Sequence, residues 1–119
     1  MAKILIIDDG RHIRSALEAI LTRAGHNVET THFLATAVGD ALSGKYKLIA
    51  LDLKMPGIDG VEIANLLQKQ GAKTSILVVW GFLNYETTGL LQETGVQNFL
   101  DKPFNATDLP AAVDQALAG

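Results

Sequence analysis

The residues best suited to chemistry in this chain are acidic, and each follows an apolar run. Ile4-Leu5-Ile6-Ile7 leads straight into Asp8-Asp9, and Leu48-Ile49-Ala50-Leu51 leads straight into Asp52. A third run, Val96 to Leu100 with polar residues between, ends just before Lys102-Pro103. Short runs rich in Ile, Leu and Val read as buried parallel strands. Open α/β sheets form their ligand sites at the carboxyl ends of such strands. The pattern therefore gathers three carboxylates and one ammonium at one sheet edge. Like charges held together repel. A bound divalent cation relieves that repulsion, and a hard ion such as Mg²⁺ prefers oxygen ligands.

The elements that must position these residues alternate between two periods, the βα repeat of a parallel sheet. The first strand spans about Lys3 to Ile7. A helix follows with Ile13, Leu17, Ile20 and Leu21 on one face, and Gly25 ends it. Val28 to His32 reads as a less apolar second strand at an edge. Leu34 to Leu42 forms a short helix stopped near Gly44, and Leu48 to Asp52 is the third strand. Asp59 caps a third helix whose buried stripe is Ile63, Leu66 and Leu67, with Gly71 as its stop. Ser75 to Val79 is a central fourth strand and Val96 to Leu100 a fifth. The intervening helix, near Asn84 to Glu93, carries Thr87, Thr88 and Gly89 in its middle and is the weakest. In the last helix Leu109, Val113, Ala116 and Leu117 share a face, and Pro110 fits the first turn if Thr107 is the N-cap.

The 119 residues are most simply one domain. A hydrophobic content of 48% with 19% charged residues is ordinary for a folded chain with one core. The formal charge of −3 offers no general attraction to nucleic acid or to an anionic membrane. The absence of cysteine excludes disulfides and thiol chemistry. No stretch approaches the ~18 apolar residues needed to span a bilayer, and the start is too short for a secretory signal. A cytoplasmic setting is the expectation. His12, His26 and His32 have no metal-ligand spacing and read as surface residues.

Three stretches together resemble the receiver domains of two-component response regulators. They are Asp8-Asp9, the run Leu51-Asp52-Leu53-Lys54-Met55-Pro56-Gly57-Ile58-Asp59-Gly60, and Phe99-Leu100-Asp101-Lys102-Pro103-Phe104. The resemblance covers essentially the whole chain and implies one receiver domain over residues 1–119. The implied fold is a doubly wound, flavodoxin-like (βα)5 architecture with a parallel five-stranded sheet in the order 2-1-3-4-5.

The resemblance also implies roles. Asp52 would be the phosphoacceptor. A carboxylate attacks phosphorus only when its own charge and that of the phosphoryl group are held and partly neutralised. Mg²⁺ on Asp9 and Asp52, with Asp8 reaching it directly or through water and the backbone carbonyl of Lys54 as a further ligand, would do this. Lys102 would direct its ammonium at a phosphoryl oxygen, and Pro103 would aim it inward. The donor would be a phosphohistidine on a sensor histidine kinase or phosphotransfer protein. Such a module is a signalling domain, not an enzyme, apart from its own phosphorylation and dephosphorylation. Its output face would be the fourth helix, fifth strand and fifth helix, with Tyr85, Leu90, Leu91, Phe99 and Pro110. That face would engage a downstream protein or output domain, or a second copy on activation.

One position departs from the family pattern. Where receiver domains end the fourth strand in Thr or Ser, this chain has Trp80, followed by Gly81. An indole offers one N–H donor, no acceptor and a far larger volume. In the family, movement of that hydroxyl admits a switch aromatic, here Phe99; alternation along the strand points Phe99 outward, and taken alone it reads as a packing aromatic. Gly10 is a milder departure, since an acidic or polar residue usually follows the acid pair. Two readings follow: a phosphoacceptor whose signal leaves by a route altered at Trp80, or a phosphorylation-independent binding module that keeps the acid pocket. Nucleotide or flavin binding is poorly supported, because the loop after the first strand lacks the glycines of a phosphate cradle.

Overall fold

Strands buried on both faces need unbroken apolar runs, and the central strands of this molecule are built from them. The computed structural model describes residues 2–8, 10–31, 34–52, 54–55, 58–69, 74–80, 89, 96, 98–101 and 104–118. The main sheet contains β1 (Lys3–Ile7), β2 (Asn27–Thr31), β3 (Leu48–Leu51), β4 (Ser75–Trp80) and β5 (Asn98–Asp101). Its helices are α1 (Arg11–Arg23), α2 (Leu34–Leu42), α3 (Gly60–Lys69) and a C-terminal helix (Asp108–Ala118). All neighbouring strands are parallel, in the order β2-β1-β3-β4-β5. This is the doubly wound order expected. The weak helix near Asn84 to Glu93 lies outside the described residues, apart from a helical Gly89.

Successive side chains of a strand point to opposite faces, so each central strand feeds two cores. On one face Leu5, Ile7, Ile49, Leu51, Ile76 and Val78 pack with Ala41 of α2 and with Ile63 and Ala64 of α3. On the other, Ile4, Ile6, Leu48, Ala50, Leu77 and Val79 meet Leu17 and Leu21 of α1 and Leu109, Val113 and Ala116 of the C-terminal helix. Each fully buried Leu or Ile contributes about 1.5–3 kcal/mol relative to exposure. β2 buries only its last residue, Thr31, as befits an edge strand, and runs one residue earlier than its pattern suggested.

The helix stops follow the glycines. The Gly25 N–H donates to the Thr22 carbonyl at 3.0 Å and the His26 N–H to the Leu21 carbonyl at 3.1 Å, with Gly25 at φ 99°. This is the Schellman arrangement that closes a helix, and its left-handed residue favours glycine. At the C-terminal helix Thr107 holds the expected N-cap place, directly before Asp108. The carbonyl of Thr107 does accept from the Ala111 N–H at 3.4 Å. The capping side chain, however, is Asn105, whose Oδ1 accepts the N–H groups of Thr107 and Asp108, both at 2.8 Å. Asp108 Oδ2 accepts the Asn105 N–H in return at 3.3 Å, a reciprocal capping box. Pro110 then falls in the first turn, where its missing N–H costs nothing.

Two features were not anticipated. Lys54–Met55 and Ile58–Asp59 pair antiparallel as a small ribbon between β3 and α3. β4 also runs one residue further than its apolar pattern, to Trp80.

Candidate functional site

The two strands that end in acids are neighbours. Ile4 pairs with Leu48 and Ile7 with Leu51. Asp8 and Asp52 therefore leave the sheet level with one another, on strands about 4.8 Å apart. The ladder continues past β3, because the Asp52 N–H donates to the Ile7 carbonyl at 2.9 Å. Both side chains are buried, Asp8 to 2% relative exposure and Asp52 to 5%. With Thr31 they are the buried polar residues among those described. Neither acid is isolated, as each makes polar interactions with its surroundings.

Asp8 is held by the start of α1. Its Oδ1 accepts the Gly10 N–H at 2.8 Å, the Asx-type turn that lets an acid end a strand and begin a helix. Its main-chain carbonyl accepts Arg14 Nη1 at 2.9 Å. Neither contact was foreseen. The signal available in the sequence was the cationic opening of α1, Arg11-His12-Ile13-Arg14. Gly10 also has a steric role, since a Cβ added there would stand 3.2 Å from Asp8 Oδ1.

Trp80 ends β4 and pairs with Asp101 of β5. Leu51 pairs with Val78, so Trp80 sits one residue beyond the level of Asp52. Phe99, read by itself as a packing aromatic, is half-buried and packs against the α2 and α3 face of the core, opposite Val78 in the register. Lys54 enters the structure through its backbone, paired with Asp59 in the ribbon. Asp9, Gly81, Lys102 and Pro103 lie outside the described residues, as do Tyr85, Leu90 and Leu91. Of the histidines, His12 is exposed and His26 is half-buried, accepting the Ala2 N–H on Nδ1 at 3.3 Å.

Two buried carboxylates at one sheet edge are a donor set of hard oxygens and suit a small divalent cation. Among the described residues no cluster of three or more His, Cys, Asp or Glu side chains forms. The third acid of the pattern, Asp9, falls outside that set. No described helix is long and apolar enough to cross a membrane.

Comparison with known proteins agrees with this geometry. The family model described as the response regulator receiver domain matches residues 4–114. The response regulator ArlR of Staphylococcus aureus is 32% identical over 113 residues, which cover 95% of this chain and 51% of ArlR. The chain thus spans about half the length of the curated relatives it matches. Among solved structures, the chemotaxis protein CheY4 of Vibrio cholerae superimposes with a TM-score of 0.89 at 29% identity, covering 98% of both chains. A BeF3-activated DrrB receiver domain gives a TM-score of 0.81 at 26% identity, covering 100% of this chain and 99% of that one.

Proposed function

The chain belongs to the response regulator receiver family of two-component signalling, and from that premise we propose that it accepts a phosphoryl group on Asp52. The observation that carries this reading is the buried, level pair Asp8 and Asp52 at the carboxyl edge of the sheet. An Asp52 carboxylate oxygen attacks phosphorus while the N–P bond of a donor phosphohistidine breaks, and the electron pair returns to the imidazole. Positioning and charge neutralisation are nearly all the protein must supply for such a transfer. The ladder bond at Asp52 fixes the nucleophile, and the contacts at Asp8 fix its neighbour.

Receiver domains generally use Mg²⁺ for phosphorylation. Here Asp8, Asp9 and Asp52, with the Lys54 carbonyl, would hold it, and it would supply positive charge against the phosphoryl oxygens. Lys102 supplies a second positive charge. A receiver domain 26% identical to this chain has been solved in a BeF3-activated form, which supports an activatable acid site here. The donor is a sensor histidine kinase or phosphotransfer protein. The output passes to a downstream protein or further domain through the face that contains β5 and the C-terminal helix.

Intact-mass analysis with MgCl2 and acetyl phosphate tests the reading. The expected result is a Mg²⁺-dependent gain of one phosphoryl group that disappears in Asp52→Asn. An equal gain in Asp52→Asn, or none in the native chain with either acetyl phosphate or a phosphorylated histidine donor, would sink it.

One observation favours a second reading. β4 closes on Trp80, paired with Asp101, where the family pattern has a hydroxyl. A binding module independent of phosphorylation would keep the fold and present a fixed surface, and it would show no phosphoryl gain in the same experiment.

A further inference from the structure

α1 opens against the usual charge rule. Acidic side chains are favoured in the first turn of a helix and cations are disfavoured there, because the unpaired N–H groups make that end positive. α1 has no acidic residue in its first turn and opens Arg11-His12-Ile13-Arg14. Local breaches of such rules are expected where a functional site is served, and this one begins three residues after Asp8.

Arg14 shows what the breach accomplishes. Its side chain is half-buried and reaches back to donate Nη1 to the main-chain carbonyl of Asp8 at 2.9 Å. The sheet reaches the same segment through the Asp8 N–H to the Thr31 carbonyl at 3.4 Å and the Asp52 N–H to the Ile7 carbonyl at 2.9 Å. To this α1 adds two contacts of its own, the Gly10 N–H at the carboxylate and Arg14 at the backbone. A guanidinium is a fixed, permanently charged donor. Placed behind acidic residues it also offsets part of their mutual repulsion.

We infer that Arg14 is a positioning residue of the acid site, setting the path of the chain through Asp8 so that its carboxylate can share one cation with Asp52. The inference rests on the reading that these acids hold Mg²⁺.

The test is a MgCl2 titration followed by the backbone amide spectrum, with the Gly10 amide as the local reporter and a urea midpoint for each protein. The proteins are the native chain, Arg14→Ala, Arg14→Lys, Arg14→Gln and, as a control on the far end of α1, Arg23→Ala. Removing a residue that orients a metal ligand typically weakens binding about tenfold or more. Arg14→Ala should therefore bind Mg²⁺ roughly tenfold more weakly. Arg14→Lys should keep part of the native affinity, and Arg23→Ala should keep all of it. If Arg14→Ala does not fold, the Lys and Gln variants carry the comparison. Unchanged Mg²⁺ affinity in the Arg14 variants, with only the urea midpoint lowered, would reduce Arg14 to a structural role and overturn the inference. Failure of the native chain itself to bind Mg²⁺ would instead overturn the acid-site reading, and the inference with it.

Discussion

The N–H of Asp52 donates to the carbonyl of Ile7 at 2.9 Å, a bond of the parallel ladder made one residue beyond the end of β3. The Asp52 carboxylate is therefore launched from backbone that still belongs to the sheet ladder. Asp8 departs from the neighbouring strand under different control, through contacts to Gly10 and Arg14. One half of the acid pair is set by strand pairing and the other by a helix start. The two halves should respond separately to mutation.

Gly10→Ala addresses the helix-borne half. Gly10 has φ −80° and ψ 112°, which any residue adopts, so the backbone itself does not demand glycine. The added Cβ would stand 3.2 Å from Asp8 Oδ1, and the carboxylate must give by a few tenths of an ångström. The expected outcome is weaker Mg²⁺ binding in an amide-detected titration, with an unfolding free energy from urea denaturation within about 0.5 kcal/mol of the native value. Native Mg²⁺ affinity in Gly10→Ala would show that Asp8 has room to spare.

Asn105→Ala addresses the C-terminal helix. It removes an acceptor shared by two N–H groups and breaks the reciprocal bond with Asp108. Loss of a cap of this kind costs about 0.5–2 kcal/mol. Thr107→Ala, at the position the sequence pattern favours for the cap, should cost less. Urea denaturation of both variants decides between them, and the reverse ranking would refute the assignment of Asn105.

At the opposite edge of the sheet, Lys3 Nζ lies 3.0 Å from Glu29 Oε2, and the Tyr46 hydroxyl donates to Glu29 Oε1 at 3.2 Å. The hydrogen bond from Lys3 is the main cause holding the Glu29 carboxyl below its ordinary 4.5, with Tyr46 lowering it further. A carboxyl depressed in the folded state contributes stability above its unfolded value and loses it as pH falls through the folded one. The stability difference between the native chain and Glu29→Gln should thus shrink as pH drops below 4.5. Tyr46 moves the other way, raised above its ordinary 10.0 chiefly by burial. Its contribution is full below that value and is lost as alkaline pH rises through the folded one. Urea midpoints across pH would test both limbs, and a difference independent of pH would contradict the assignment.

The fold was legible because its central strands are buried on both faces, which prints Ile4 to Ile7 and Leu48 to Leu51 as unbroken apolar runs. Asp8 and Asp52 were legible for the same reason, as the first charges after those runs. Arg14 was not, because a contact between a guanidinium and a carbonyl six residues back leaves no periodic trace. Phe99 was legible as a packing aromatic from its residue type and not from alternation: near the sheet margin a strand residue can be half-buried on the side that a simple in–out pattern calls exposed. Asn105 was overlooked because the reading sought a capping side chain next to the helix. Here the cap reaches forward from two residues before Thr107.

Asp8 follows Ile4 by the same four residues that separate Asp52 from Leu48, and Ile4 and Leu48 are register partners. The strands therefore act as matched rulers. One residue inserted into either would slide its acid about 3.3 Å along the strand axis and turn side chains meant for one core toward the other. Length can vary only where the ruler is not read. An engineered insertion, such as a reporter tag or circularly permuted ends, belongs in a turn. The exposed bend at Gly44, left-handed at φ 79°, offers such a place, in the connection before β3 and outside both strands.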